Sequence, residues 1–151
     1  MQTLQTVRAT SIKNILYPTD FSPAAASALP FVLDIAKMFG ARVTAVHVRT
    51  PDAVVLTPPL SFPYQTEWAQ DSLEQVTGPL ERKLASVEHE CLVGEGEVWD
   101  FLARVMDERE IDLIVVGTQG RTGLEKLMLG SVAEVIFRQA NCPVMTIRVP
   151  G

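Results

Sequence analysis

The sequence predicts an α/β fold in which helices cover both faces of an open, doubly wound parallel sheet. Short apolar segments rich in β-branched residues alternate along the chain with segments of helical period, and capping residues stand where the helical segments begin and end. This alternation specifies parallel strands joined by right-handed crossovers. The chain has 151 residues, 47% of them hydrophobic, which suits one domain with a full core. Residues 1–11 are polar and without period, so we expect a flexible N-terminal arm followed by a single domain over 12–151.

The first strand and helix have the clearest signals. An apolar run over residues 14–19 predicts a strand, and an Ala-rich segment from Ala24 to about Phe39 predicts a helix. Ser22 is the predicted N-cap and Pro23 the first helical residue. Gly40 stands where a left-handed C-terminal cap belongs.

The middle of the chain is less regular. Residues 42–48 are β-branched and apolar on both faces, as in an interior parallel strand. Residues 51–66 contain four prolines, too many for a strand or a helix interior, so a long surface loop is predicted. Residues 67–84 have helical spacing, with Gly78-Pro79 expected to kink or split the helix.

The last part of the chain repeats the alternation. The predicted elements are a strand over 88–93, a turn over 94–96, a helix over 98–110, a strand over 112–116, a helix over 131–139 and a strand over 143–149. In an open parallel sheet, ligands bind beyond the carboxyl ends of the strands, where the strand order reverses. The segments to inspect therefore follow Thr19, Val48, Val93 and Val116.

Composition narrows the classes of function. The formal net charge of −5 disfavours sequence-independent nucleic-acid binding, which needs clustered cations. No segment has the roughly 20 apolar residues needed to cross a bilayer, and the N-terminus lacks a signal-peptide core, so we expect a cytoplasmic protein without a membrane partner. Cys91 and Cys142 form no CxxC pair and sit in apolar runs, which predicts small structural thiols in a reducing compartment.

Glycines after the predicted fourth strand are the strongest functional signal. They fall as Gly117-x2-Gly120-x9-Gly130-Ser131, between an apolar strand and a helix start. Glycine lets backbone N–H groups approach a ligand, and a helix N-terminus favours anions, so the spacing suits a phosphate site. The alternative is that Ser131 only caps its helix, because Ser131 to Glu134 also forms a capping box. Arg121 and Lys126 would supply a local positive field.

The remaining polar residues do not indicate a catalytic site. Asp20 follows the first strand and could accept a ribose hydroxyl, help hold Mg²⁺, or join Ser22 in capping the next helix. His47 lies in an apolar strand and is interpreted as a satisfied core or rim histidine. His89 has no partners at metal-ligand spacing. The chain has no Walker A motif, no GxSxG elbow and no evident carboxylate dyad, so a binding site without catalytic machinery is predicted.

Several segments, in order, resemble the universal stress protein (UspA-like) family. They are Ile15 to Ser22, Val46-His47-Val48, Asp112 to Arg121, Leu129 to Ala133 and Cys142-Pro143-Val144. The resemblance covers roughly residues 11–149. In this family the complete G-x2-G-x9-G-[S/T] element marks the members that bind ATP, and it is complete here.

The resemblance implies a Rossmann-like, adenine-nucleotide hydrolase-like fold with five parallel strands in the order 3-2-1-4-5 and ATP in the crevice between the first and fourth. Asp20 would lie near the ribose or a Mg²⁺ ion, and Val48 near the adenine. The implied binding residues are Pro18, Thr19, Asp20, Val48, Val116, Gly117, Gly120, Arg121, Gly130, Ser131 and Val132. The resemblance also implies a homodimer, in which the last strand, Val144 to Val149, pairs antiparallel with its copy across a two-fold axis. The prolines of residues 57–63 and Gln119 depart from the family pattern.

Three functions follow as hypotheses. The first is an ATP-binding regulatory protein of the stress response that acts as a homodimer, with at most slow hydrolysis. The second is a Mg-dependent ATPase or adenylyl-handling enzyme of the same superfamily. The third keeps the fold but binds a protein partner through the Pro-rich loop and dimer surface, with the crevice empty or holding another ligand.

Overall fold

The computed structural model describes residues 12–49, 77–119 and 130–149. Its strands are β1 (Asn14–Pro18), β2 (Arg42–Arg49), β3 (His89–Glu95), β4 (Leu113–Gln119) and β5 (Val144–Val149). Its helices are α1 (Pro23–Phe39), α2 (residues 77–83), α3 (Val98–Glu108) and α4 (Gly130–Gln139). The five strands form one sheet in the order β3-β2-β1-β4-β5, and all four pairings are parallel. The predicted fold class and strand order are confirmed.

Alternate residues of the central strands divide the core into two layers. Ile15 and Tyr17 of β1 face α1 and α2, whereas Leu16 between them faces α3 and α4. The same alternation recurs in β2 and β4, so both faces of the sheet bury apolar side chains. This is why these strands read as continuous apolar runs rather than as alternating ones.

Helix α1 begins and ends at the predicted caps. The Ser22 hydroxyl accepts a hydrogen bond from the Ala25 amide, Pro23 occupies the first turn, and Gly40 has the left-handed φ of 64°. Pro30 lies inside the helix, where it removes one backbone donor. The helix continues because its neighbours Ala28, Leu29 and Val32 are buried against the sheet.

Two predicted boundaries were wrong, and both involve a glycine. Strand β3 runs through Gly94 to Glu95, so the expected turn over 94–96 begins only at Gly96, which has a φ of 109°. A Cβ on Gly94 would lie 2.4 Å from the ring of Phe101, so this glycine allows α3 to pack closely on its strand. Strand β4 likewise continues past Val116 to Gln119.

The other boundaries differ by one or two residues. Helix α3 ends at Glu108, two residues before the predicted end, and Glu110 has a φ of 50°. The Pro-rich loop 51–66 and the first part of the helix predicted over 67–84 lie outside the described residues, so the split at Gly78-Pro79 stays a prediction. Within the described ranges, no helix is both long and apolar enough to span a membrane.

Candidate functional site

The carboxyl ends of β1, β2 and β4 lie side by side at one edge of the sheet. Pro18 pairs with Val46 of β2, and the amide of Thr19 donates to the Val46 carbonyl over 2.8 Å, so the chain leaves β1 in contact with β2. On the other side of β1, Val116 and Gly117 pair with β5 near the end of β4. The strand order reverses at this point, because β2 continues the sheet on one side of β1 and β4 on the other.

Most of the predicted site residues that the structure describes lie at or next to the carboxyl ends of β1, β2 and β4, which are neighbours in the sheet. Thr19 and Val116 are buried, Val48 and Gly117 are half-buried, and Asp20 is exposed. Gly130 begins α4, so Ser131 and Val132 belong to its first turn. Gly120 and Arg121 lie outside the described residues, as do Lys126 and the side chains of the first turn of α4.

Local hydrogen bonds shape the turn between β1 and α1. The Phe21 amide donates to the Thr19 hydroxyl over 3.0 Å, and the Ser22 amide donates to Asp20 Oδ1 over 2.9 Å. Short polar side chains form such contacts with the backbone two residues on. Asp20 thus holds the turn that leads into α1, while its exposed carboxylate stays at the sheet edge.

His47 contacts this turn from β2. Its Nδ1 lies 2.9 Å from the carbonyl oxygen of Thr19, and its ring packs on Phe21 with centroids 4.7 Å apart and planes inclined by 55°. The interpretation of His47 as a satisfied rim histidine is confirmed. Phe21 has a φ of 62° and is 44% exposed. Sequence reasoning missed Phe21, since nothing in the order Asp20-Phe21-Ser22 marks a left-handed backbone at an aromatic residue.

Position 117 requires a glycine for a reason other than the one expected for a glycine in a phosphate loop. It lies within β4, and the described glycines with positive φ are Gly40 and Gly96. A Cβ on Gly117 would lie 1.9 Å from the carbonyl oxygen of Ala24 and 2.6 Å from its carbonyl carbon. The missing side chain therefore lets the first turn of α1 approach β4, next to the Asp20 turn.

This sheet and its connections match a known family. The family model described as "Universal stress protein family" matches residues 11–148. The chain belongs to the universal stress protein family. Universal stress protein MJ0531 of Methanocaldococcus jannaschii is 33% identical over 148 residues, which are 91% of this chain and 83% of that protein.

Two solved universal stress protein structures share the fold and contain adenine nucleotides. One, described as a complex with cAMP, has a TM-score of 0.64 at 18% identity and covers 91% of this chain and 97% of its own. The other, from Arabidopsis thaliana with AMP bound, has a TM-score of 0.61 at 18% identity and covers 92% and 93%. Both likenesses establish the architecture of this universal stress protein domain.

The clearest charge pairing lies at the opposite edge of the sheet. Arg109 donates two hydrogen bonds to Glu90, of 2.8 and 2.9 Å, and these hold the pKa of Glu90 below its usual value.

Burial raises the pKa of the Cys91 thiol to about 11 and raises the pKa of the Cys142 thiol as well. Both thiols are partly buried and pack against the core, in accord with the predicted structural role.

After β1, Asp20 could hold Mg²⁺ only together with ligands from elsewhere. Asp20 offers one exposed carboxylate, of which Oδ1 already accepts from Ser22. Among the described residues, no three His, Cys, Asp or Glu side chains are grouped to hold a metal ion. Mg²⁺ is commonly held by one or two carboxylates together with water and substrate phosphates, and Asp20 fits that arrangement.

Proposed function

We propose that this chain is an ATP-binding regulatory protein of the stress response, acting in the cytoplasm as a homodimer and hydrolysing ATP slowly at most. The observation that carries the proposal is the meeting of two features at one edge of the sheet: the exposed Asp20 follows β1, and Gly117 lies near the end of the neighbouring β4. Along the chain, α4 begins at Gly130, after this end of β4.

Each part of a nucleotide has a matching chemistry there. Pro18, Thr19 and Asp20 would line the adenosine end, with Val48 against the adenine. Backbone N–H groups of the glycine segment and the N-terminus of α4 would hold the phosphates, because glycine lets a backbone N–H approach an anion and a helix N-terminus leaves N–H groups unpaired. The residues proposed to hold the ribose and the phosphates are Gly117, Gly120, Arg121, Gly130, Ser131 and Val132, and Val116 completes the proposed binding residues. The universal stress protein structures with cAMP and AMP support an adenine nucleotide as the ligand class.

ATP binding is tested by identifying the nucleotide that co-purifies and by titrating the nucleotide-free protein with Mg-ATP in a calorimeter. Gly130→Val would place a side chain among the proposed phosphate donors, and we expect at least a tenfold loss of affinity. Ala85→Val, which places a valine at an exposed turn after α2, is the control and should bind as wild type. Failure to retain any adenine nucleotide, together with no binding at millimolar Mg-ATP, would refute the proposal.

The exposed carboxylate of Asp20 favours one second candidate, a Mg-dependent ATPase or adenylyl-handling enzyme. Phosphate release under Mg-ATP saturation separates the two, because a regulatory binder should turn over slowly and an enzyme should not. Turnover that persists unchanged in Asp20→Ala would identify a contaminating activity. Capture of the same protein partner with and without ATP would instead favour the partner-binding alternative.

The homodimer is proposed through the edge strand β5. Among the described residues, β5 pairs only with β4, and an open apolar edge invites a second strand. Met145 on β5 and Phe137 on α4 are large exposed apolar residues. Met145→Asp should convert the dimer to a monomer in sedimentation analysis, whereas Met38→Asp on the exposed side of α1 should not. A wild-type monomer at micromolar concentration would contradict this part.

A further inference from the structure

We propose that His47 is a positioning residue which, together with Phe21, holds the β1–α1 turn in the conformation that binds the nucleotide. The inference rests on the proposed function for its ligand, but its structural half concerns the turn alone. His47 sits one strand away from Asp20 in the sheet and acts on it through Thr19.

Thr19 is anchored at three of its atoms. Its amide donates to Val46 of β2 over 2.8 Å, its carbonyl lies 2.9 Å from His47 Nδ1, and its hydroxyl accepts from the Phe21 amide over 3.0 Å. Two of these contacts come from β2, and one of those two depends on a side chain. Since Asp20 is the next residue, the position of its carboxylate depends on how Thr19 is held.

The contact also determines the tautomer of His47. A carbonyl oxygen only accepts, so Nδ1 must carry the proton that points to Thr19, and in the neutral ring Nε2 is unprotonated. Protonation at Nε2 leaves the Nδ1–H donor in place. His47 therefore serves as a fixed donor to the turn in either charge state.

Phe21 supplies the second half of the arrangement. Its φ of 62° disfavours any residue with a Cβ by about tenfold in population. Its ring packs on the imidazole of His47 at 4.7 Å, and an aromatic contact of this kind offsets a backbone cost of that size. The strained backbone and the ring contact thus form one unit, which would loosen if either aromatic ring were lost.

A pair of substitutions at His47 tests the donor. His47→Leu removes it at similar volume, whereas His47→Asn keeps an N–H near the position of Nδ1. In the nucleotide-free protein, we expect exchange of the Phe21 and Ser22 amides to be about tenfold faster in His47→Leu and to lie between this and wild type in His47→Asn, which keeps the donor but loses the ring. ATP affinity should fall about tenfold in the first variant and recover in part in the second.

A parallel pair at Phe21 tests the ring. Phe21→Ala should resemble His47→Leu, and Phe21→Tyr, which keeps the ring, should resemble wild type. Amide exchange in the double variant His47→Leu/Phe21→Ala should be no faster than in either single variant, because the two residues act together. Phe31→Ala removes another exposed phenyl ring, on α1, and is the control for surface truncation.

The outcomes separate the two proposals. If wild-type protein binds no adenine nucleotide, the proposed function fails, while the amide exchange of Phe21 and Ser22 still tests the positioning role. Exchange in His47→Leu that equals wild type would overturn the inference. Faster exchange with unchanged ATP affinity would overturn it too, because the turn would then not matter for binding. If His47→Leu does not fold, the Phe21 pair still tests the ring contact at an exposed position, and Ser22 amide exchange in Phe21→Ala that equals wild type would overturn the inference.

Discussion

Replacing Gly117 with alanine tests why a glycine stands inside β4. The added Cβ would lie 1.9 Å from the carbonyl oxygen of Ala24, where real contacts essentially never fall below 3.0 Å. The obstacle is helix backbone, so no side-chain rotation relieves it. Either the first turn of α1 or the end of β4 must shift by about 1 Å, and the neighbouring core must follow.

We expect this overpacking to lower the free energy of unfolding by about 3 kcal/mol, at the upper end of the range for such insertions. For a domain of this size, that corresponds to a fall in Tm of about 6–12 °C. Urea unfolding followed by circular dichroism gives the free energy, and a thermal scan gives Tm. An unchanged m-value would show that the loss concerns the native packing rather than the denatured state.

Gly40→Ala is the control, because a Cβ there meets no atom within 4 Å but the residue has a φ of 64°. It should cost about 1 kcal/mol from backbone strain alone. Gly94→Ala is a second comparison, since its obstacle is the ring of Phe101 and Phe101→Leu should partly rescue it. If Gly117→Ala loses no more stability than Gly40→Ala, the close approach of α1 is not rigid and our reasoning is refuted.

Three further predictions concern the rest of the sheet. Asp112→Ala should lower the free energy of unfolding by about 1–3 kcal/mol, because its carboxylate accepts two backbone amides at the start of β1 over 2.8 and 3.0 Å; equal urea midpoints for Asp112→Ala and the exposed Asp107→Ala would contradict this. Hydrogen bonding to Arg109 lowers the pKa of Glu90 from 4.5. The stability that the Glu90–Arg109 ion pair adds to the folded protein is therefore present above pH 4.5 and is lost as the pH falls further. Urea unfolding of wild type and Glu90→Gln should therefore differ by up to about 1 kcal/mol at pH 7 and converge near pH 3, and a constant difference would contradict the assignment. The rate of Cys91 alkylation, measured by mass spectrometry, should keep rising towards pH 11 in the folded protein but not in the protein unfolded in urea. A rate that levels off near pH 9 in the folded protein would contradict the burial of this thiol.

Local signals predicted most of the secondary structure because they act within a few residues. Ser22, Pro23 and Gly40 marked the two ends of α1 through capping chemistry that needs no tertiary contact. Pro30 would break an isolated helix, yet α1 runs through it because its buried face packs on the sheet. Burial outweighed the lost backbone hydrogen bond, and no local pattern carries that balance.

The glycines show where local reasoning stops. Gly94 and Gly117 were expected in a turn and a loop, because glycine most often supplies positive φ there. Both lie in strands, where a missing Cβ makes room for the ring of Phe101 or the backbone of Ala24. The neighbours that require them are distant in the chain for Gly117 and on the following helix for Gly94. A single sequence does not place those neighbours.

For the candidate site, the sequence by itself determined which chemistry stands at the carboxyl edge: Asp20 after the first strand and the spaced glycines after the fourth, in a chain whose periodicity specifies parallel strands. Parallel strands bring their carboxyl ends to one edge of the sheet, and for this reason the sequence predicts a candidate site there. Only the tertiary structure decided which contacts hold the turn after β1 at this edge. Phe21 adopts a left-handed backbone, and the imidazole of His47 donates to Thr19, because β2 lies beside β1 at this register. Contacts between residues far apart in the chain depend on strand order and register, which local propensities do not encode.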